Sequence, residues 1–217
     1  QKQERKKGLM QQLLSGKKRF PAFVPSAGKE GLDREWQKIR LKNVLDYEQP
    51  IKYLVSSEVY DDSFNIPVLT AGKTFLLGYT NEEHNVFQQL PAIIFDDFTT
   101  DFKWVDFPFK AKSSAMKMLK PIDDSVNLRY VFEAMKLIRF PKAGHKRYWI
   151  SEFSMMKIPY PEPEEQQKIA SVLSAADREI DKLQGQLEKL QAQKKGLMQV
   201  LLTGEVRVNT TESHEKH

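Results

Sequence analysis

The chain has 217 residues, 40% hydrophobic and 29% charged, with a formal net charge of +5 and no cysteine. That length can bury a core in one domain with an appendage, and the missing cysteines exclude disulfides, thiolate zinc sites and cysteine nucleophiles together. No apolar run approaches the roughly 20 residues that span a bilayer, and no signal-peptide core follows the polar start, so a soluble, cytoplasmic protein is expected.

The first element is a phrase that returns at the other end. Gln3 to Arg19 reads QERKKGLMQQLLSGKKR and Gln191 to Arg207 reads QAQKKGLMQVLLTGEVR, with 11 of 17 positions identical at a constant offset of 188. A repeat flanking a long unrepeated segment is one helical spacer unit used twice. A solenoid would repeat every 20–50 residues or so. Residues 1–20 supply only the last third of such a helix, ending at Gly16, so the chain is expected to begin inside an element that starts upstream.

Residues 21–160 read as one domain of mixed helix and short strands. Ile66 to Thr70 and Thr74 to Tyr79 flank Ala71-Gly72-Lys73, a hairpin by its turn chemistry. Ala92-Ile93-Ile94-Phe95 reads as a buried strand, followed by a polar loop from Asp96 to Asp101. Phe102 to Phe109 reads as another strand, and Leu128, Val131, Phe132 and Met135 give Val126 to Ile138 helical spacing. Phe140 to Lys146 is a loop, Tyr148-Trp149-Ile150 resumes a strand, and Lys157 to Tyr160 leads out of the domain.

Residues 161–205 form the clearest element. Pro163 suits a first helical turn, where its missing N–H costs nothing, and Glu164 and Glu165 place charge at the positive end of the helix dipole. Apolar residues follow at Ile169, Val172, Ala176, Ile180, Leu183, Leu187, Leu190, Leu197 and Leu201, mostly in alternating steps of three and four, the rhythm of a coiled-coil seam. A stutter between Val172 and Ile180 and Lys194 on the seam are register-setting irregularities. Thr203-Gly204 supplies the stop, and 206–217 is a polar tail. The outer face is too polar for a buried helix. The N-terminal copy is too short to cover the stripe, which predicts a second chain and hence a homodimer.

Charge is unevenly placed. Between Asp101 and Lys157 stand 12 Lys/Arg against 6 Asp/Glu, a net of +6 that exceeds the excess of the whole chain. Such a segment is the footprint of a polyanion binder, nucleic acid first; a solvated lysine-rich surface is the alternative. Nothing points to chemistry. The four histidines make no metal-ligand spacing, no glycine-rich phosphate loop is present, and Asp61-Asp62 and Asp96-Asp97 read as turn formers. No methyltransferase tetrapeptide of the Asn-Pro-Pro-aromatic kind occurs. No enzyme activity, metal or cofactor is expected.

Three motifs carry a resemblance. Ile158-Pro159-Tyr160-Pro161-Glu162-Pro163-Glu164-Glu165-Gln166-Gln167-Lys168-Ile169-Ala170 is a proline-rich exit into a helix with a Glu-Gln-x-x-Ile core. Lys-Lys-Gly-Leu-Met-Gln-x-Leu-Leu-x-Gly ends both helical copies. Trp36 to Leu41 with Val44 and Leu45 is a weaker third match. Over residues 1–205 the chain resembles the DNA-specificity subunit of type I restriction–modification systems. The resemblance implies an α+β architecture: a target-recognition domain plus a long projecting spacer helix. It implies double-stranded DNA, DNA methyltransferase (modification) subunits and restriction subunits as partners, with catalysis left to them. Two recognition domains would make a full subunit. This chain has one, as a C-terminal half or a half-length subunit acting as a dimer would.

Base reading needs Arg, Lys, Asn or Gln on ordered elements, while phosphates accept any cation, hydroxyl or N–H. The first candidates are therefore Lys142, His145, Lys146 and Arg147 in the loop from Pro141. Lys73 and Thr74 at the hairpin tip come next with Tyr79, then Lys103, Lys110 and Lys112. Trp36, Trp104 and Trp149 read as core. Two other readings stand beside this one: a helical assembly module binding protein, and a recognition domain of a fused methyltransferase or nuclease.

Overall fold

The computed structural model describes residues 1–24, 36–72, 74–141 and 146–204. At its centre lies strand β5, Ala92–Asp96, in which every residue is buried. A strand covered on both faces has no solvent side to mark with polar residues, hence the unbroken apolar run. Its alternation is spatial instead. Ile93 and Phe95 join a core with Leu119, Tyr130, Trp149 and Phe153, while Ala92 and Ile94 join a second with Leu69, Phe87, Phe109 and Met118.

β5 stands inside a four-stranded antiparallel sheet ordered β2 (Leu45–Glu48), β8 (Met116–Pro121), β5, β6 (Phe102–Val105). The expected hairpin is present as β3 (Ile66–Leu69) and β4 (Leu76–Thr80), and β3 also pairs in parallel with the short β7 (Lys110–Ala111). Strands β1 (Gln37–Arg40) and β9 (Lys157–Tyr160) pair antiparallel, with Gln37 opposite Tyr160. The way into the domain and the way out are therefore side by side.

Two strand expectations fail. Phe102 to Phe109 is not one strand: β6 stops at Val105, Phe107 is exposed, and Phe109 bridges to Phe87. Pro108 between them has no N–H for a ladder. Tyr148-Trp149-Ile150 is a turn that leads into a short 3-10 helix at Phe153–Met155. Its aromatic run reflects burial, since Tyr148 packs on Phe140 and Trp149 on Phe95.

Helix α2 (Leu128–Met135) starts where the Asn127 side chain accepts the Tyr130 N–H at 3.0 Å, satisfying a donor that the helix itself cannot. It packs against β6 through Phe132, which touches Phe102 and Trp104. Glu133 is completely buried on it, held by Arg129 at 3.0 Å and Lys136 at 2.9 Å.

Helix α1 (Lys2–Leu14) and the last part of helix α3 (Pro163–Leu202) carry the two copies of the repeat. The 40 residues of α3 make it about 60 Å long. α1 runs antiparallel along its first half. Lys2 meets Glu179 at 2.7 Å, Lys6 pairs with Asp177, and beyond the helix Arg19 makes a two-pronged contact with Glu165 at 2.7 and 3.0 Å. The stripe needs less help than its sequence suggests. Ile169 is buried and Val172, Ala176 and Ile180 are half-buried within this one chain, so the N-terminal copy and the domain serve that half. Leu183, Leu187, Leu190, Leu197 and Leu201 are exposed.

Both copies end alike. Ser15 Oγ donates to the Gln11 carbonyl and Thr203 Oγ1 to the Gln199 carbonyl, and the glycines that follow, Gly16 and Gly204, have φ of +73° and +75°, the left-handed stop that glycine adopts freely. Their surroundings differ. Leu14 is 0% exposed and its counterpart Leu202 is 80% exposed.

Candidate nucleic-acid interface

The loop after β5 is built by its two aspartates. Asp96 Oδ1 accepts the N–H groups of Phe98 (2.9 Å) and Thr99 (3.2 Å), and the Asp96 carbonyl accepts the Thr100 N–H at 2.9 Å. Thr100 is thereby held at φ +59°, a conformation that costs a β-branched residue. Asp97 turns inward and is 1% exposed. Its Oδ1 accepts the Trp149 N–H at 2.8 Å, its carbonyl accepts the Tyr148 N–H at 2.9 Å, and its Oδ2 lies 3.1 Å from Lys117 Nζ. The acidic pair is thus an anchor that fixes the loop to the segment carrying Arg147.

Three sequence-distant pieces meet around a cleft of about 640 Å³: Ala71, Gly72 and Phe75 of the hairpin, Thr99 to Lys103 after β5, and Lys136, Ile138 and Phe140 beyond α2. Its floor is aromatic and apolar, Lys103 and Lys136 stand on its walls, and Asp96 and Asp101 also line it. Burial holds the Lys136 ammonium below the ordinary lysine value, against the pull of the Glu133 hydrogen bond.

The candidates divide clearly. Lys103 is exposed, lines the cleft and lies 5.1 Å from the Phe75 ring centre; Thr74 is exposed next to Phe75. Arg147 is exposed over the Phe98 ring at 6.0 Å. Lys146 is exposed but paired with Glu152. Lys73, Lys142 and His145 lie outside the described residues.

Lys110 is a correction. Its side chain is 1% exposed, and its ammonium sits 2.6 Å from Glu82 Oε2 and 3.2 Å from the His84 carbonyl, so no phosphate can reach it. Lys112 is half-buried and pairs with Glu58 at 2.8 Å. Tyr79 is half-buried on β4, with its carbonyl accepting the Asp61 N–H at 3.1 Å. Neither lines the cleft. Trp149 is core, and Trp36 and Trp104 are packed against it.

A second basic feature was missed. A surface groove of about 530 Å³ between the end of α1 and the end of α2 is lined by Lys7, Lys17, Lys136 and Arg139, with no carboxylate among its lining residues. The repeat drew α1 into the spacer reading, and a loop cation after α2 carries no local signal. Among the described residues no group of His, Cys, Asp and Glu could hold a metal ion, and no helix is long and apolar enough to cross a membrane.

The family model for the type I restriction modification DNA specificity domain matches residues 33–192. The specificity subunit of the Escherichia coli type I restriction enzyme EcoR124I/EcoR124II is 48% identical over 169 residues, 76% of this chain and 41% of that subunit. The chain thus spans about two fifths of the length of this curated relative. Among solved structures, the type I restriction–modification S subunit from M. genitalium superposes with a TM-score of 0.64 at 17% identity, covering 91% of this chain and 53% of that one. A chain from a structure on complex assembly and conformational transition of the type I system gives 0.53 at 16% identity, covering 92% and 52%. At that identity the likeness is one of fold.

Proposed function

The chain belongs to the type I restriction modification DNA specificity domain family, and from that premise we propose that it reads one part of a split DNA target for a modification and restriction complex. One observation carries the reading within the molecule. The hairpin tip, the loop after β5 and the segment beyond α2 converge on one cleft with Lys103 and Lys136 on its walls, and Arg147 lies over Phe98 of the same loop, next to the segment that Asp97 anchors.

The division of labour follows. The recognition domain contacts the duplex, phosphates fixing the register and a few side chains reading base edges. The long helix offers its polar outer face to methyltransferase subunits, and restriction subunits join the full complex. Chemistry belongs to those partners. The exposed leucines of α3 from Leu183 onward take a second copy of this chain, standing where the other half of the longer relatives would be.

The test is site mapping. Assembled with cognate modification subunits, the chain should direct adenine methylation to one defined sequence. Alone it should neither methylate nor cut DNA, whatever nucleotide, magnesium or S-adenosylmethionine is supplied. Methylation or cleavage by the highly purified chain would overturn the proposal.

A further inference from the structure

A second depression, lined by cations with no carboxylate, adjoins the cleft. The segment that follows α2 lines two depressions: Ile138 and Phe140 face the cleft, while Leu137 and Arg139 face the groove against α1, and Lys136 lines both. Across that groove stand Lys7 and Lys17, which come from the spacer copy and not from the recognition domain. Lys7, Lys17 and Arg139 are exposed, and among the described residues none has an ion-pair partner. Their neighbours on α1 behave otherwise: Lys2 and Lys6 are neutralised by Glu179 and Asp177 of α3. On α1, therefore, Lys2 and Lys6 are paired with α3, while Lys7, which lines the groove beside α2, is left bare, as is Lys17 just beyond the helix end.

Three unpaired cations around one concave surface repel each other unless an anion joins them. A duplex carries one charge per roughly 1.7 Å of axis, so a backbone lying at the cleft can run on into a neighbouring depression that shares Lys136 with it. We propose that this groove is a phosphate-binding track for the DNA backbone, extending the contact from the recognition domain onto the end of the spacer helix. It rests on the DNA-reading proposal above and adds a site to it. The consequence is positional: a backbone held by Lys7 and Lys17 fixes the domain's half-site relative to the spacer, and not only relative to the domain. Because the contacts are to phosphates, they should add affinity and register without base preference.

The experiment uses the full chain and a 30-base-pair fluorescent duplex, titrated between 50 and 200 mM salt. A Lys7→Gln, Lys17→Gln, Arg139→Gln triple variant should bind more weakly on all duplexes alike. Its log–log salt slope should be shallower by about 2.7, since each phosphate contact contributes about 0.9, so its affinity loss over that range is roughly 40-fold smaller than that of the wild type. The charge-keeping variant Lys7→Arg, Lys17→Arg, Arg139→Lys should retain the wild-type slope, and thermal unfolding should be the same for all three, the side chains being exposed. A triple variant with the wild-type slope overturns the track. So does one that binds DNA normally but no longer assembles with the modification subunits, which would make the groove a protein interface. A wild type whose binding ignores salt sinks the DNA reading itself, an outcome told apart by the wild-type curve alone.

Discussion

Lys110 and Glu82 show how one pair of side chains decides between surface and core. The lysine lies in a segment rich in cations, yet its partner stands 28 residues earlier, and no local pattern reveals that the two meet. Once buried, the pair is an anchor between β7 and the loop before β5. Glu82 also accepts the Ser56 and Ser57 N–H groups. Burial works to raise its pKa, and the bonds from Lys110 and from those amides outweigh it, holding the carboxyl below its ordinary 4.5. Its folded value being depressed, the stability that it contributes is present above that ordinary value and lost as the pH falls through the lower folded one. Lys110→Ala removes the counter-charge from a largely buried carboxylate that keeps its two amide bonds, which should cost about 1.5–3 kcal/mol in urea unfolding, with the deficit shrinking below about pH 4.5 as Glu82 takes up a proton. The DNA salt slope should not change. A shallower slope would return Lys110 to the DNA face.

At the scale of elements, the repeat supplies its own control. Leu14 and Leu202 occupy the same place in the same phrase, before the same kind of cap, one buried and the other bare. Leu14→Ala should therefore destabilise the chain by about 2–5 kcal/mol, as other buried leucine truncations do. Leu202→Ala should stay within about 0.5 kcal/mol, as surface changes do. Equal effects in thermal unfolding would mean that the C-terminal copy is already seated on another chain. Element legibility varied for physical reasons. α3 was readable because period, proline and acidic first turn are all local, and the hairpin because turn residues stand between its strands. The β1–β9 pair was not, since nothing in Gln37 to Arg40 names a partner near Tyr160. Of the site, Lys103 and Arg147 were legible as loop cations. The groove was not, because α1 and α2 lie far apart in sequence and meet only in the folded chain.

For the whole molecule the question is what covers the outer half of α3. Up to Ile180 the helix is served by α1, α2 and the domain; beyond it five seam leucines stand exposed, joined near the end by Met198 and Leu202. A lone helix this polar gains little from its own propensity, so an apolar face of this length is stable in pairs. Antiparallel pairing of two copies would set two globular domains at opposite ends of the shared helices, the separation that the proposed split target calls for. The last turn of α3 then approaches a domain whose own α1 already fills the matching seat, so the association should rest chiefly on Leu183, Leu187 and Leu190. Leu183→Lys puts an unpaired charge at the centre of that seam and should raise the dissociation constant about 30-fold or more, equivalent to roughly 2 kcal/mol. Leu201→Lys, at the crowded end, should do much less. Sedimentation equilibrium on the wild type and both variants reads this directly. A wild type that stays monomeric at tens of micromolar would defeat the dimer, and equal weakening by the two substitutions would place the contact along the whole helix instead of at its middle.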